Sequence, residues 1–335
     1  MEITFLGTSS GTPTKSRNVS GAAVGLRGSK KWCLVDCGEG TQHQILHTRY
    51  SLNNLQAIFI THVHGDHCYG LPGLLASAAM AGRVEPLKVI CPKGVEHFMQ
   101  AIIDATQLHF SYNVEFIDIA SIYRASVDST SIDSTVILDG VTVDIIALSH
   151  RVDSFGFRFT DTLNAKEKLN TKKLIEANIP KGEMWGRIQK GENVLLNDGR
   201  QVVSADFLLA SEPPQKIIIC GDNDSPELLK PYMDGVSLVV HESTYTEDIA
   251  VKVGPGPQHS YAKRVAKFAQ DVALKNLILT HFSPRYSEAP HRSPNMLDIE
   301  REAKSVYSGN LFLAKDFDCY QLDSLEGVSL ERGAL

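Results

Sequence analysis

The stretch that most constrains this chain is Thr61-His62-Val63-His64-Gly65-Asp66-His67, which follows the apolar run Ala57–Ile60. The run reads as a strand, so it would deliver the histidines into a loop at a sheet edge. His62 and His64 are two residues apart, and alternate side chains of an extended segment point the same way. Gly65 permits a tight turn, after which Asp66 and His67 can face back toward the same spot. Four ligand-type side chains within six residues suit two adjacent cations better than one tetrahedral ion. A single histidine is ordinarily a core or surface residue; three with an aspartate at this spacing are not explained that way.

The rest of the chain can supply a scaffold. Its 335 residues allow one large domain or two small ones, with ample material for a core. Strands are predicted at Ile3–Leu6, Ala22–Leu26, Trp32–Val35, Ala57–Ile60, Lys88–Ile90, Val114–Ile117 and Val141–Ala147, and again at Lys216–Ile219, Ser237–Val240, Leu277–Thr280 and Leu311–Ala314. Helices are predicted at Gly40–Thr48, Leu74–Ala81, Val95–Thr106 and Ser260–Val272, the last with Ser260 as its cap. Apolar strands with intervening helices point to sheets covered by helices.

Charge and cysteine usage narrow the class. A formal charge of −6 does not mark a nucleic-acid binder, so any such role must rest on a local patch. One candidate patch lies in the polar, lysine-rich segment from Asp161 to Pro214. From Asp161 to Lys190, seven basic residues (Lys166, Lys168, Lys172, Lys173, Lys181, Arg187, Lys190) outnumber four acidic ones, a local +3. By itself this reads as a solvated insertion; the functional alternative is a basic arm that meets a polyanion. The six cysteines form no Cys-x-x-Cys pair and are too few for a disulfide scaffold. No apolar run approaches the roughly 20 residues of a membrane span, and the N-terminus opens on Ile3–Leu6 without a signal-peptide pattern, so a cytoplasmic protein is expected.

His-x-His-x-Asp-His is the signature of the metallo-β-lactamase superfamily, which this sequence resembles over its whole length. The resemblance implies an α/β fold, a four-layer αββα sandwich, with further ligands from later strand ends. Candidates stand there: His150 after Val141–Ala147, Asp222 after Lys216–Ile219, and His281 after Leu277–Thr280. By resemblance, His62, His64 and His150 hold one ion and Asp66, His67 and His281 the other, with Asp222 bridging. Imidazole and carboxylate suit Zn²⁺, and Mn²⁺ less exclusively.

Within the superfamily, the features outside the ligands decide. Phe5-Leu6-Gly7-Thr8-Ser9-Ser10-Gly11-Thr12-Pro13-Thr14-Lys15-Ser16-Arg17-Asn18 resembles the opening of the ribonuclease Z family of tRNA 3′-processing endonucleases. So do Val35–Gln42, His150–Arg158, Ile179–Gly182, Gly186–Glu192, His241–Thr244, His259-Ser260 and His281–Tyr286. Three positions depart from the family pattern: Asn223 for Thr, Glu183 for Pro and Ser243 for Ala. The resemblance implies a single domain over 1–335, with residues 161–214 as an inserted arm that grips precursor tRNA. It also implies a homodimer and arm contacts from Lys172, Lys173, Lys181, Arg187 and Lys190. The opening loop itself reads either as a plain Gly/Ser/Thr-rich loop after a strand or as an anion-friendly one with Lys15 and Arg17 ready for phosphate. Asp66 would be the base and His259 the proton donor to the leaving oxygen, oriented by Glu242. The rival readings are a superfamily hydrolase of small esters and a non-catalytic RNA-binding subunit.

Overall fold

The computed structural model describes residues 1–122, 135–164, 168–209, 213–323 and 327–332. Lys166, counted above in the basic segment, lies outside them. The chain divides into two compact units, one of residues 1–161 with 215–335, the other Thr162–Pro214.

The larger unit is built on two sheets. In chain order its strands are β1 (Glu2–Gly7), β2 (Gly21–Gly25), β3 (Trp32–Val35), β4 (Leu55–Phe59), β5 (Leu87–Cys91), β6 (Val114–Asp118), β7 (Thr135–Leu138), β8 (Val141–Leu148) and β9 (Ser154–Asp161). The inserted unit contributes the two-residue strands β10 (Lys168–Leu169), β11 (Val194–Leu195), β12 (Gln201–Val202) and β13 (Leu208–Leu209). Then come β14 (Lys216–Cys220), β15 (Val236–Glu242), β16 (Asn276–Thr280), β17 (Asn310–Leu313), β18 (Asp318–Asp323) and β19 (Gly327–Arg332). One sheet runs β19-β18-β1-β2-β3-β4-β5-β6 and the other β17-β16-β15-β14-β9-β8-β7. Each has a parallel half, β3 to β6 and β14 to β17.

Composition explains that division. Parallel strands are covered on both faces, and β3 and β4 are almost wholly buried, as their near-continuous apolar sequences require. β8 and β9 are antiparallel and show buried residues interleaved with half-buried ones. The sheets face each other: the Phe59 ring of β4 lies 5.1 Å from Phe157 and 5.5 Å from Phe159, both on β9. On the outer side of the first sheet pack the helices Leu71–Met80 and Lys93–Thr106, through Leu71, Leu74, Leu75, Val95 and Met99. On the outer side of the second pack Ala262–Asp271 and Met296–Lys304, through Val265, Ala266, Ala269, Ile299 and Ala303. The layering is helix, sheet, sheet, helix, as the sequence resemblance implied.

Two helix predictions change. The segment expected as Gly40–Thr48 is a single turn, Thr41–Ile45, continued by i→i+3 bonds through Thr48, so the helical pattern runs on without a helix. The helix expected from Ser260 begins at Ala262, and Ser260 does not cap it: its hydroxyl donates to the Asn223 carbonyl at 2.7 Å. The Glu302 carboxylate does the capping from another helix, accepting from the Lys263 and Glu247 N–H groups at 2.9 Å, and so ties together the starts of two helices.

The strand ends decide where the chemistry sits. β4, β8, β14, β15 and β16 are followed by, or end on, the histidine motif, His150, Asp222, Glu242 and His281. Ligand sites of open α/β sheets lie at such carboxyl ends. Close backbone approach fixes the loops there. A Cβ on Gly70 would stand 2.0 Å from the Gly38 carbonyl oxygen, and one on Gly38 2.3 Å from that of Asp66, so only glycine lets these strands of loop stack.

Candidate metal centre

His64 is the extended residue before a one-turn helix, Gly65–Cys68, that carries Asp66 and His67. The motif therefore bends where Gly65 stands. The structure brings all seven predicted ligands together. His62, His64, His150 and Asp222 form one group able to hold an ion, and Asp66, His67 and His281 another. In the first, His64 Nδ1 lies 3.1 Å from His62 Nε2 and 3.2 Å from His150 Nε2. Asp222 Oδ2 is 3.5 Å from His62 Nε2 and 3.6 Å from His150 Nε2. In the second, His281 Nε2 is 3.3 Å from both His67 Nε2 and Asp66 Oδ2. Asp222 Oδ1 is 3.4 Å from His281 Nε2 and 3.5 Å from His67 Nε2. One oxygen of Asp222 thus faces each group.

These spacings fit cations. Donors about 2.0–2.1 Å from a tetrahedral Zn²⁺ stand about 3.3 Å from one another. The tautomers point the same way. His67 Nδ1 donates to Asp36 Oδ2 at 2.7 Å, and His62 Nδ1 to Thr61 Oγ1 at 2.9 Å; that hydroxyl in turn donates to Asp36 at 3.0 Å. His150 Nδ1 donates to the Gln258 carbonyl at 2.9 Å, and His281 Nδ1 to Thr244 Oγ1 at 3.0 Å, whose proton goes to Glu242 Oε2. Four Nε2 lone pairs are left facing the centre, the arrangement by which metal-ligating histidines are oriented. Lone pairs and carboxylate oxygens this close repel unless a cation lies among them. Asp222 Oδ1 is buried with no hydrogen-bond partner among the described residues. A carboxylate oxygen left so would be costly, and a metal ion is the partner this donor set fits.

Electrostatics agree. Burial, then the neighbouring imidazoles, pushes His62 well below its usual pKa, leaving it neutral and able to ligate. Burial also opposes a charge on His67, but Asp66, Asp36 and Asp222 outweigh it and raise its pKa. Asp66, despite burial, is held far below the carboxylate range by His67 and His281. The negative field that would keep a proton on His67 is the field in which a cation would sit.

His259 borders the cluster. Its ring centroid is 5.1 Å from that of His150 and 5.4 Å from that of His281, and its Nδ1 donates to Glu242 Oε1 at 3.1 Å. Burial lowers its affinity for a proton, but Glu242 and then Asp222 reverse this and lift its pKa to about 9. Glu242 is buried, and the His259 charge holds it ionised. Its Oε1 also accepts the Asn223 N–H at 3.0 Å. His241 is fully buried and bonded to Asn223 Nδ2 at 2.9 Å, a structural position.

The predicted phosphate contacts are placed differently from one another. Lys15 is exposed. Arg17 is not available as expected: its side chain is 6% exposed and lies against the Glu288 carboxylate at 2.7 Å. It also donates to Thr8 Oγ1 and the Ala314 carbonyl, both at 2.7 Å, beneath the Phe282 ring. It holds the loop over residues 8–18, whose Gly11 N–H reaches Asp66 Oδ2 at 2.7 Å. In the inserted unit, Lys172, Lys181, Arg187 and Lys190 are exposed; Arg187 pairs with Glu192 at 2.8 Å, and Lys181 lies 5.4 Å over Trp185. Lys173 donates to the Asp206 carbonyl at 2.6 Å.

Sequence reasoning missed the residues behind the ligands. Asp36 stands at φ 60, where it receives His67, the Thr61 hydroxyl and the Thr61 N–H. Asn223 Oδ1 accepts the Ser149 N–H at 3.1 Å and so ties the loop before His150 to the one after Asp222. Their only local signal is position, each just beyond the end of an apolar strand.

Known proteins share both the sequence and the fold. Residues 1–169, just over half of the chain, match the family described as Anti-Pycsar protein Apyc1. The chain is 50% identical to a ribonuclease Z of Marinobacter nauticus over 96% of its own length and 97% of that protein. It is 44% identical to a ribonuclease Z of Pseudomonas putida over 96% of its length and 97% of that protein. The human tRNase Z short form has the same fold, with a TM-score of 0.61 at 23% identity, covering 96% of this chain and 100% of that one. No helix among the described residues is long and apolar enough to cross a membrane. With its two facing sheets, its histidine–aspartate cluster and relatives matched from end to end, the chain belongs to the ribonuclease Z family of the metallo-β-lactamase fold.

Proposed function

We propose that this chain removes the 3′ trailer from precursor tRNA, cutting after the discriminator nucleotide. The observation that carries the reading is the two-lobed cluster around Asp222, in a chain matched end to end by ribonuclease Z relatives. His62, His64 and His150 would hold one ion with Asp222 Oδ2, and Asp66, His67 and His281 the other with Asp222 Oδ1. Two Zn²⁺ suit these donors, with Mn²⁺ as the alternative. When bound, such ions supply a water whose pKa is lowered to about 7 and positive charge for the phosphate oxygens.

The remaining work falls to this chain's side chains. Asp66, with one oxygen held by the Gly11 N–H, takes the proton of the attacking water. His259, with Nδ1 committed to Glu242, gives a proton from Nε2 to the leaving 3′-oxygen. Glu242 fixes that ring and balances its charge. The bond between phosphorus and the 3′-oxygen breaks, leaving a tRNA 3′-hydroxyl and a trailer with a 5′-phosphate. Lys172, Lys173, Lys181, Arg187 and Lys190 of the inserted unit, with Lys15, meet the phosphates of the tRNA. Affinity carried this way falls as salt rises. The same reading makes the enzyme a cytoplasmic homodimer.

The test is a 3′-extended precursor tRNA with both product ends mapped, with and without a chelator. A single cut after the discriminator, a 5′-phosphate trailer and loss of cleavage on chelation are expected. Hydrolysis of bis(p-nitrophenyl) phosphate by metal-bound protein that leaves every precursor intact would overturn the reading in favour of a small-ester hydrolase.

A further inference from the structure

Beside the metal centre, and sharing His259 with it, lies a cavity of about 300 Å³. Its walls include Asp224, Tyr245, Pro255, His259, Tyr261 and Arg264. We infer that this cavity receives the base of the nucleotide immediately 5′ of the cut bond. The inference rests on the proposed function and assigns a place that the ligands and the arm leave open.

Size and lining set the ligand class. The volume is at the small end of ligand pockets, about 300–1,000 Å³, which suits one base and not a helical stem. Unpaired bases are held by stacking on aromatic rings, with hydrogen bonds at their edges. Tyr245 and Tyr261 supply rings, and a backbone bridge between these two residues fixes their separation. Arg285 stands 5.3 Å over the Tyr245 ring and steadies it. The Asp224 carboxylate can accept from an exocyclic amine or a 2′-hydroxyl, and Arg264 can donate to a ring nitrogen or carbonyl.

Position sets which base. The Tyr245 ring lies 6.1 Å from that of His259, whose Nδ1 is held by Glu242. The neighbouring wall residue, Gln258, has φ 54, and its carbonyl receives His150 Nδ1 at 2.9 Å. The cavity is therefore referenced to the metal centre by two short connections. If His259 serves the leaving 3′-oxygen, the nucleotide bearing that oxygen is the one whose base falls on this side.

The experiment uses full-length enzyme and precursor tRNAs with an abasic residue either just 5′ or just 3′ of the cut, read as single-turnover kcat/KM. The wild type should lose about tenfold or more on the 5′ abasic substrate, from the missing stack, and little on the 3′ one. Tyr245→Ala should be slower on the intact precursor and indifferent to the 5′ base. Tyr245→Leu retains bulk without a stacking ring and should behave the same way if the alanine variant does not fold. Equal rates on intact and 5′-abasic substrates in the wild type, or a loss confined to the 3′ position, would overturn the inference while leaving the function standing. No cleavage of any precursor would overturn both.

Discussion

The metal centre and the inserted unit both concentrate ionisable side chains, and they hold them in opposite ways. Around Asp222 every candidate ligand is buried or half-buried, donors stand 3.1 to 3.6 Å apart, and four of the five imidazoles in the cluster are fixed through their other nitrogen. In the unit Thr162–Pro214 a small core of Leu174, Ile179, Ile188, Val194, Leu196 and Val202 supports lysines that point to solvent. Chemistry on a phosphodiester needs donors placed to a fraction of an ångström. Holding a polyanion needs charge, which acts over about 10 Å and tolerates mobile side chains. Substitutions should therefore act through geometry in one region and through count and salt in the other.

The largest effect is expected at Asp222, which faces both ligand groups. Asp222→Ala should lower bound metal and reduce precursor cleavage by about 10³-fold or more, with bis(p-nitrophenyl) phosphate turnover falling alongside. Metal analysis and single-turnover rates check this; full cleavage by a metal-free variant would break the comparison at its root. One step back, Asp36→Asn or Thr244→Val keeps every ligand but disturbs the partner that orients it. A loss of about 10–100-fold in metal affinity or rate is expected, read by chelator titration.

The inserted unit should respond differently. Replacing Lys172, Lys181 and Lys190 together by Glu should raise KM for precursor tRNA by about tenfold or more at low salt. It should also flatten the dependence of log(kcat/KM) on log salt by about one unit for each phosphate no longer neutralised. Turnover of bis(p-nitrophenyl) phosphate should not change. A parallel loss on both substrates would mean that the unit acts through structure and not charge.

Legibility in the sequence followed the same division. Most strands were readable, and so were the histidine motif, His150, Asp222 and His281 that gather in the cluster, because burial imposes apolar runs and each of these residues stands at or just past the end of one. β9 was not picked out as a strand, although Phe155, Phe157 and Phe159 alternate along it, because Gly156, Arg158 and Thr160 on its other face leave no continuous apolar run. The helix Met296–Lys304 was passed over despite its Asn295–Asp298 capping box, since its apolar face is narrow. Asp36, Thr61, Thr244 and Asn223 were invisible as orienting residues, because what they do depends on neighbours brought from elsewhere in the chain. Arg17 was misread for the converse reason: a loop rich in Gly, Ser and Thr with two cations resembles a phosphate cradle, and nothing local says that Glu288 and Ala314 will enclose one of them.

That loop is where the two modes of holding charge can be told apart most finely. Asp316 accepts from the Asn18 N–H at 2.6 Å and from the Thr8 hydroxyl at 2.7 Å, with Arg17 bonded to the same Thr8. Burial, against these bonds and the Arg17 charge, pushes its pKa up to about 6. The sign follows from proton uptake. An acid whose pKa is raised on folding binds more protons in the folded than in the unfolded chain between about pH 4 and 6, so its contribution to stability falls as pH rises through that window. The cost, fully present above about pH 6, is on the order of 2–3 kcal/mol. Asp316→Asn removes the charge and keeps an acceptor. Its stability relative to the wild type should rise between pH 4 and 6 and level off above, a difference in which the other titrating groups cancel. Turnover at neutral pH should change little, the smallest catalytic effect of the set. Thermal unfolding of both proteins across that range reads it directly. Parallel curves would mean that Asp316 is as well solvated as the arm's lysines, and that the loop belongs with the exposed charge and not with the buried scaffold behind Asp66.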